Sequence, residues 1–174
     1  MKKLMMVVVM MAAAIAVQAQ GDAISKFFTK YQNDVSFSQV NMSSKMFSLM
    51  ANLEVENPED QEVVNMISKL KGLRILAKEE ARDSRELYKE ALSMIPKNEF
   101  EELMSVRDKD KDMKFYIKES GGKISELVMV AGGNDEFMIL SLFGEIDLKQ
   151  VSKISKKMNI DGLENLEKIK DKKN

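Results

Sequence analysis

The sequence predicts an α+β domain in which a helical first half packs on an antiparallel β-meander and a C-terminal helix closes the fold. Three observations carry this expectation. Apolar residues recur at helical spacing through most of residues 21–95. From Phe100 onward the period falls to two, with turn-forming residues between the runs. Asp147 and Gln150 then set a D-x-x-Q pattern ahead of another apolar stripe, which is the mark of a helix N-terminus.

The elements follow in chain order. Ile24, Phe27, Phe28 and Tyr31 place a first helix over Gly21–Gln32, and Val35–Ser38 alternates like a short strand. Ser43 or Ser44 caps a second helix that buries Met46, Phe47, Leu49, Met50 and Leu53. Asn57-Pro58 starts a third, because proline at the first helical position loses no hydrogen bond there. Its stripe is Val63, Val64, Met66, Ile67 and Leu70, and Gly72 is expected to end it. Leu73–Ala77 reads as a short strand. A fourth helix runs from about Arg82 through Leu87, Tyr88, Ala91, Leu92 and Ile95 until Pro96 stops it.

Phe100–Val106 is extended, and "DKDKD" interrupts it. Met113, Phe115 and Ile117 then alternate with Lys114, Tyr116 and Lys118 as a half-buried strand. Ser120-Gly121-Gly122 turns the chain into a strand over Ile124–Ala131. Phe137–Phe143 is apolar on both faces apart from Ser141, so it is expected to be covered on both sides. Between these two strands, Gly132-Gly133-Asn134-Asp135 is a hairpin loop of residues that tolerate positive φ. A phosphate cradle would need a helix after such a loop, and here a strand follows. Leu148, Val151, Ile154 and Met158 face the core from the C-terminal helix, and Leu163, Leu166 and Ile169 make one more short helix.

Residues 1–19 read as a secretory signal peptide. Lys2 and Lys3 precede the apolar run Leu4–Val17, and Val17-Gln18-Ala19 leads into cleavage before Gln20. The run is shorter than the roughly 20 apolar residues that span a bilayer. Residues 20–174 then form a single domain with no transmembrane segment after cleavage. The chain has no cysteine, so it carries no disulfide and no lipid anchored through a cysteine, and the mature protein is expected in the periplasm or outside the cell. Without Lys2 and Lys3 the 28 acidic residues face 25 basic ones. That balance offers nucleic acid no electrostatic footprint.

With neither histidine nor cysteine, no Ser-His-Asp or Cys-His machinery and no imidazole or thiolate metal site can be built. Carboxylate chemistry, a Ser-Lys pair and a hard-cation site remain. Asp108, Asp110, Asp112 and Glu119 stand at relative positions 1, 3, 5 and 12, the spacing of a calcium loop. Met113 replaces the glycine that such a loop needs, lysines intervene, and the chain beyond Asp112 alternates like a strand. A solvated hairpin turn explains the same residues. The pairs Glu79-Glu80, Glu101-Glu102 and Asp135-Glu136 point apart along any regular element, and Ser43-Ser44-Lys45 and Ser152-Lys153 sit on helices of ordinary composition. No catalytic residue and no cofactor are therefore nominated. Fifteen methionines, five of them in the leader, suggest a compliant core or an adaptable apolar surface.

The leader, "DAISKFFTKY", "KGLRILAKE" and "LSLFGEIDLKQVSKISKKM" together resemble the domain of unknown function 4252 family, short exported proteins of Bacteroidetes. The resemblance spans the mature chain and implies export and a single domain, and it implies no activity, cofactor or site residue. Many relatives are expected to be lipid-anchored through a cysteine that this chain lacks. The expected function is a non-enzymatic periplasmic module that binds an envelope protein or component. The alternatives are a carboxylate-based hydrolase of the envelope and a calcium-dependent module. Export makes a direct prediction: N-terminal sequencing of protein recovered outside the cytoplasm begins at Gln20, and protein that retains Met1 contradicts it.

Overall fold

Residues 24–52 and 57–148 are described by a computed structural model. They form α1 (Ser25–Tyr31), β1 (Ser38–Ser43), α2 (Ser44–Ala51), α3 (Pro58–Ile67), β2 (Leu70–Lys78), α4 (Ser84–Met94), β3 (Glu101–Arg107), β4 (Lys111–Ser120), β5 (Lys123–Gly133) and β6 (Phe137–Ile146). The strands make one six-stranded sheet in the order β1-β2-β6-β5-β4-β3, and every neighbouring pair is antiparallel. The α+β class stands. The meander supplies β3 to β6, and the two strands of the helical first half join the same sheet. The physical reason lies in β6. Phe137, Ile139, Leu140 and Leu142 are buried on both of its faces, and its hairpin with β5 satisfies one edge alone. β2 satisfies the other and is longer than expected, and β1 lies outside it.

Alternation along the strands divides the core in two. On one face α1 and α4 bring Phe27, Phe28, Leu87 and Ala91 onto Leu76, Val128, Val130, Phe137 and Ile139. On the other, Phe47 of α2 and Met66 of α3 join Phe115, Leu127, Met129, Leu140 and Leu142. Burying one such large side chain stabilises the fold by about 1.5–3 kcal/mol. Aromatic rings lock α1 in place: Phe27 lies 4.7 Å from Tyr31 and 5.5 Å from Phe137, and Tyr31 lies 4.8 Å from Phe37. Lys30 and the Tyr31 hydroxyl both donate to the Glu90 carboxylate, tying α1 to α4. Leu148 packs against the second cluster. The predicted C-terminal helix beyond it, with Gln150, Val151, Ile154 and Met158, and the short helix of Leu163, Leu166 and Ile169, lie outside the described residues.

Four local expectations are revised. The strand placed at Val35–Ser38 begins only at Ser38. The Asp34 carboxylate accepts from the Ser36 backbone and hydroxyl at 2.9 and 2.7 Å, which bends the chain and leaves Val35 fully exposed. Gly72 does not end α3; it sits inside β2, where the Phe143 ring covers the position a Cβ would take. Met46 and Leu49 are 47% and 54% exposed instead of buried, because α2 turns Phe47 to the sheet.

The fourth revision concerns Gly132-Gly133-Asn134-Asp135. The hairpin is present, but both glycines belong to β5 and neither has positive φ. Gly132 is needed for close approach: a Cβ there would stand 2.5 Å from the Tyr88 Cβ on α4. The positive-φ turn lies at the other end of β5, where Gly121 and Gly122 adopt φ of 60° and 76°.

The fully buried Ser84 staples the start of α4 to the β5–β6 hairpin. Its Oγ accepts from the Gly133 amide at 3.0 Å and lies 2.8 Å from Gly133 O and 2.7 Å from Glu136 O. One hydroxyl proton serves those two carbonyls. The Ala81 amide donates to Asp135 O at 2.6 Å and completes the joint. The Gly133 amide also donates to Glu136 O at 2.9 Å, so losing the Ser84 hydroxyl removes hydrogen bonds without orphaning that pair. Ser84→Ala is therefore expected to cost about 0.5–1.5 kcal/mol in urea unfolding. Unchanged stability would contradict the staple.

Candidate functional site

The calcium-spaced acids Asp108, Asp110 and Asp112 lie at the β3–β4 turn. Asp112 opens β4 and is held between two arginines: Arg85 Nη1 donates to its Oδ2 at 2.9 Å and Arg107 Nε to its Oδ1 at 3.2 Å. Asp108 accepts from the Lys109 amide, and Asp110 accepts from the Asn134 side chain at 3.2 Å. Glu119 lies seven residues along the same strand from Asp112, a distance of about 23 Å at the usual rise per residue. Among the described residues no group of three acidic side chains is placed to share a metal ion. The corner joins the start of α4 to two hairpin turns, a structural use of charge.

The acidic pairs are also separated. Glu102 accepts from Lys114 at 2.6 Å and from the Tyr116 hydroxyl at 3.3 Å, and Glu136 lies 3.6 Å from Lys111. Glu80 turns outward with φ of 51°. The carboxylate that sequence reasoning passed over is Glu126, buried near the start of β5, where Ser141 of β6 donates to its Oε1 at 2.8 Å. Its signal was present: Ser141 is the one polar residue within the apolar run Phe137–Phe143.

At the opposite end of the sheet a cleft of about 470 Å³ is lined by Ser44, Ser68, Lys69, Lys123, Ser125 and Glu145, among others. Its polar groups are largely engaged with one another. Lys69 and Lys123 both meet Glu145, and the Ser68 and Ser125 hydroxyls donate to the Asn65 and Lys118 carbonyls. The hydrogen bond from Lys123 holds Glu145 below the usual carboxylate range. Ser44 is the member of the predicted Ser-Lys motifs that lines this cleft, and Ser152-Lys153 lies outside the described residues.

The surface that stands apart is a sheet edge. An edge strand offers unpaired N–H and C=O groups to any passing strand, and proteins protect such edges with charges, proline or bulges. β3 is protected. It carries Glu101, Glu102 and Arg107, and its ladder is broken by a bulge between Glu102 and Met104. β1 has none of these. Its sequence Ser-Gln-Val-Asn-Met-Ser has no charge and no proline, its register with β2 is continuous, and among the described residues it has no second neighbour.

The large exposed apolar side chains gather beside it. Val35, Val40, Met46 and Leu49 all fall within fifteen residues, on β1 or its two flanks. Val40 and Met42 sit opposite Ile75 and Leu73 of β2, so they share the face that α2 covers. The Gln39 side chain turns the other way and donates to the carbonyl of Gln32 at 2.7 Å.

The protected edge makes a pH prediction. The Lys114 hydrogen bond holds the Glu102 carboxyl below its ordinary value. A carboxyl lowered in the folded state stabilises it above the unfolded pKa of about 4.3, and this contribution is lost as the pH falls through the folded value. Glu102→Gln is therefore expected to flatten the acid side of the stability profile, and the alkaline side as well. Glu102 also holds the Lys114 ammonium above its ordinary value, and that contribution is lost as the pH rises through it. An unaltered acid limb in thermal melts would contradict the assignment.

A family model described as Domain of unknown function (DUF4252) matches residues 31–154. No curated protein and no solved structure matches the chain.

Proposed function

The chain belongs to the DUF4252 family, and from that membership and the fold we propose that it is an exported, non-enzymatic interaction module whose binding surface is the open β1 edge with the adjoining face of α2. The observation that carries this reading is the asymmetry of the two edges. One is charged and bulged, while the other is uncharged, regular and bordered by exposed Val40, Met46 and Leu49. Pairing with an added strand satisfies backbone groups along β1, and side chains on alternate positions select the partner. The leader read at residues 1–19 supports a location outside the cytoplasm, where an envelope protein or component is the partner. No helix among the described residues is long and apolar enough to cross a membrane.

A photo-crosslinking side chain at Val40 of the full chain in growing cells tests this. The expected result is a discrete adduct, reduced about tenfold or more by Val40→Lys in a second copy of the gene product bearing the crosslinker at Met42, since a buried unpaired charge opposes docking. Val40 is 45% exposed at an edge, so the lysine is tolerated by the fold. Equal adduct formation from the β3 edge, with none from β1, contradicts the proposal.

A further inference from the structure

Resting on the reading of β1 as the binding edge, we infer that its occupant is a second copy of this chain, paired β1 to β1 in antiparallel fashion to extend the sheet across a two-fold axis. An isologous interface requires a surface complementary to itself. β1 meets that requirement because a strand without charges can face its own copy with no like charges opposed. The β3 edge meets it less well, because the bulge between Glu102 and Met104 breaks the regular ladder that a second strand would extend.

Geometry narrows the register. A two-fold axis normal to a sheet keeps each side chain on its own face, and facing residues in an antiparallel pair share a face. One residue must therefore face its own copy. Centring on Asn41 sets Val40 opposite Met42 of the second copy, twice over, and Gln39 opposite Ser43. This arrangement pairs the apolar side chains of β1 with each other on the face that α2 covers. α2 leaves the end of β1 over that face, so the axis carries the α2 helices of both copies to the same side of the extended sheet, with exposed Met46 and Leu49 beside the new strand.

The absence of cysteine makes the test clean. Facing residues have Cα atoms about 4.5–5.5 Å apart, within the range a disulfide spans. The full chain bearing Asn41→Cys, expressed with its leader and purified after export, is run without reductant. The expected main species is a disulfide-linked dimer, and adding Val40→Lys lowers its yield by about tenfold or more. Ser105→Cys, exposed on the opposite edge, stays monomeric and controls for chance collision. Light scattering on the unsubstituted chain at micromolar concentration needs no variant and is expected to give twice the chain mass. A monomer by light scattering overturns the second copy as occupant. If that monomer still crosslinks to another envelope protein through Val40, the binding edge survives with a different partner; if it crosslinks to nothing there, both readings fall.

Discussion

β5 and β6 are apolar on both faces, and the remaining architecture answers to that fact. Val128, Val130 and Ile139 point one way and Leu127, Met129 and Leu140 the other, all of them buried. A strand of this kind must lie between two other strands and between two covering layers. β4 and β2 provide the flanks, while α1 with α4, and α2 with α3, provide described cover on the two faces. Among the described residues, the side chains at the centre of these two strands are almost entirely withdrawn from solvent. Polar groups trapped there serve the fold instead: Ser141 satisfies Glu126, and Ser84 satisfies a hairpin. What the domain can offer another molecule is therefore displaced to its rim.

The rim is not uniform. The end that holds the β3–β4 and β5–β6 turns is closed by arginine–aspartate pairs and by the Ser84 joint. At the other end, lysines meet Glu145 across the cleft. Exposed ion pairs of this sort add little stability, on the order of 0–1 kcal/mol each, but they keep the surface wet and discourage strand pairing. β1 itself carries no charged side chain. The contrast between a defended edge and an undefended one is the feature of this fold that a purely structural role does not require.

Much of the fold was legible because its signals are local. The stripe on α4, the alternation in β4 and the Gly121-Gly122 turn each follow from side chains within a few residues of one another. The failures share a different cause. Gly72 and Gly132 look like punctuation, yet each is fixed by an aromatic ring, Phe143 or Tyr88, that arrives from another element. The reach of Arg85 from α4 to Asp112 was hidden in the same way, because it joins residues far apart in the chain. The position of β1 at the sheet edge was hidden for the same reason. Nothing in Ser-Gln-Val-Asn-Met-Ser says that it lies at a border; strand order says so, and strand order is non-local. A resemblance read from the order of motifs named the family without locating a site, and the family match is as silent on chemistry.

Residue-resolved amide hydrogen exchange on the full chain, followed as protein concentration is raised, tests the central claim that β1 is the working edge. The outward-facing amides of residues 38–43 are expected to exchange fast in dilute protein and to gain protection with concentration, while those of β3 stay unchanged. If the β1 amides show no added protection at any concentration, or β3 gains it instead, the account is contradicted.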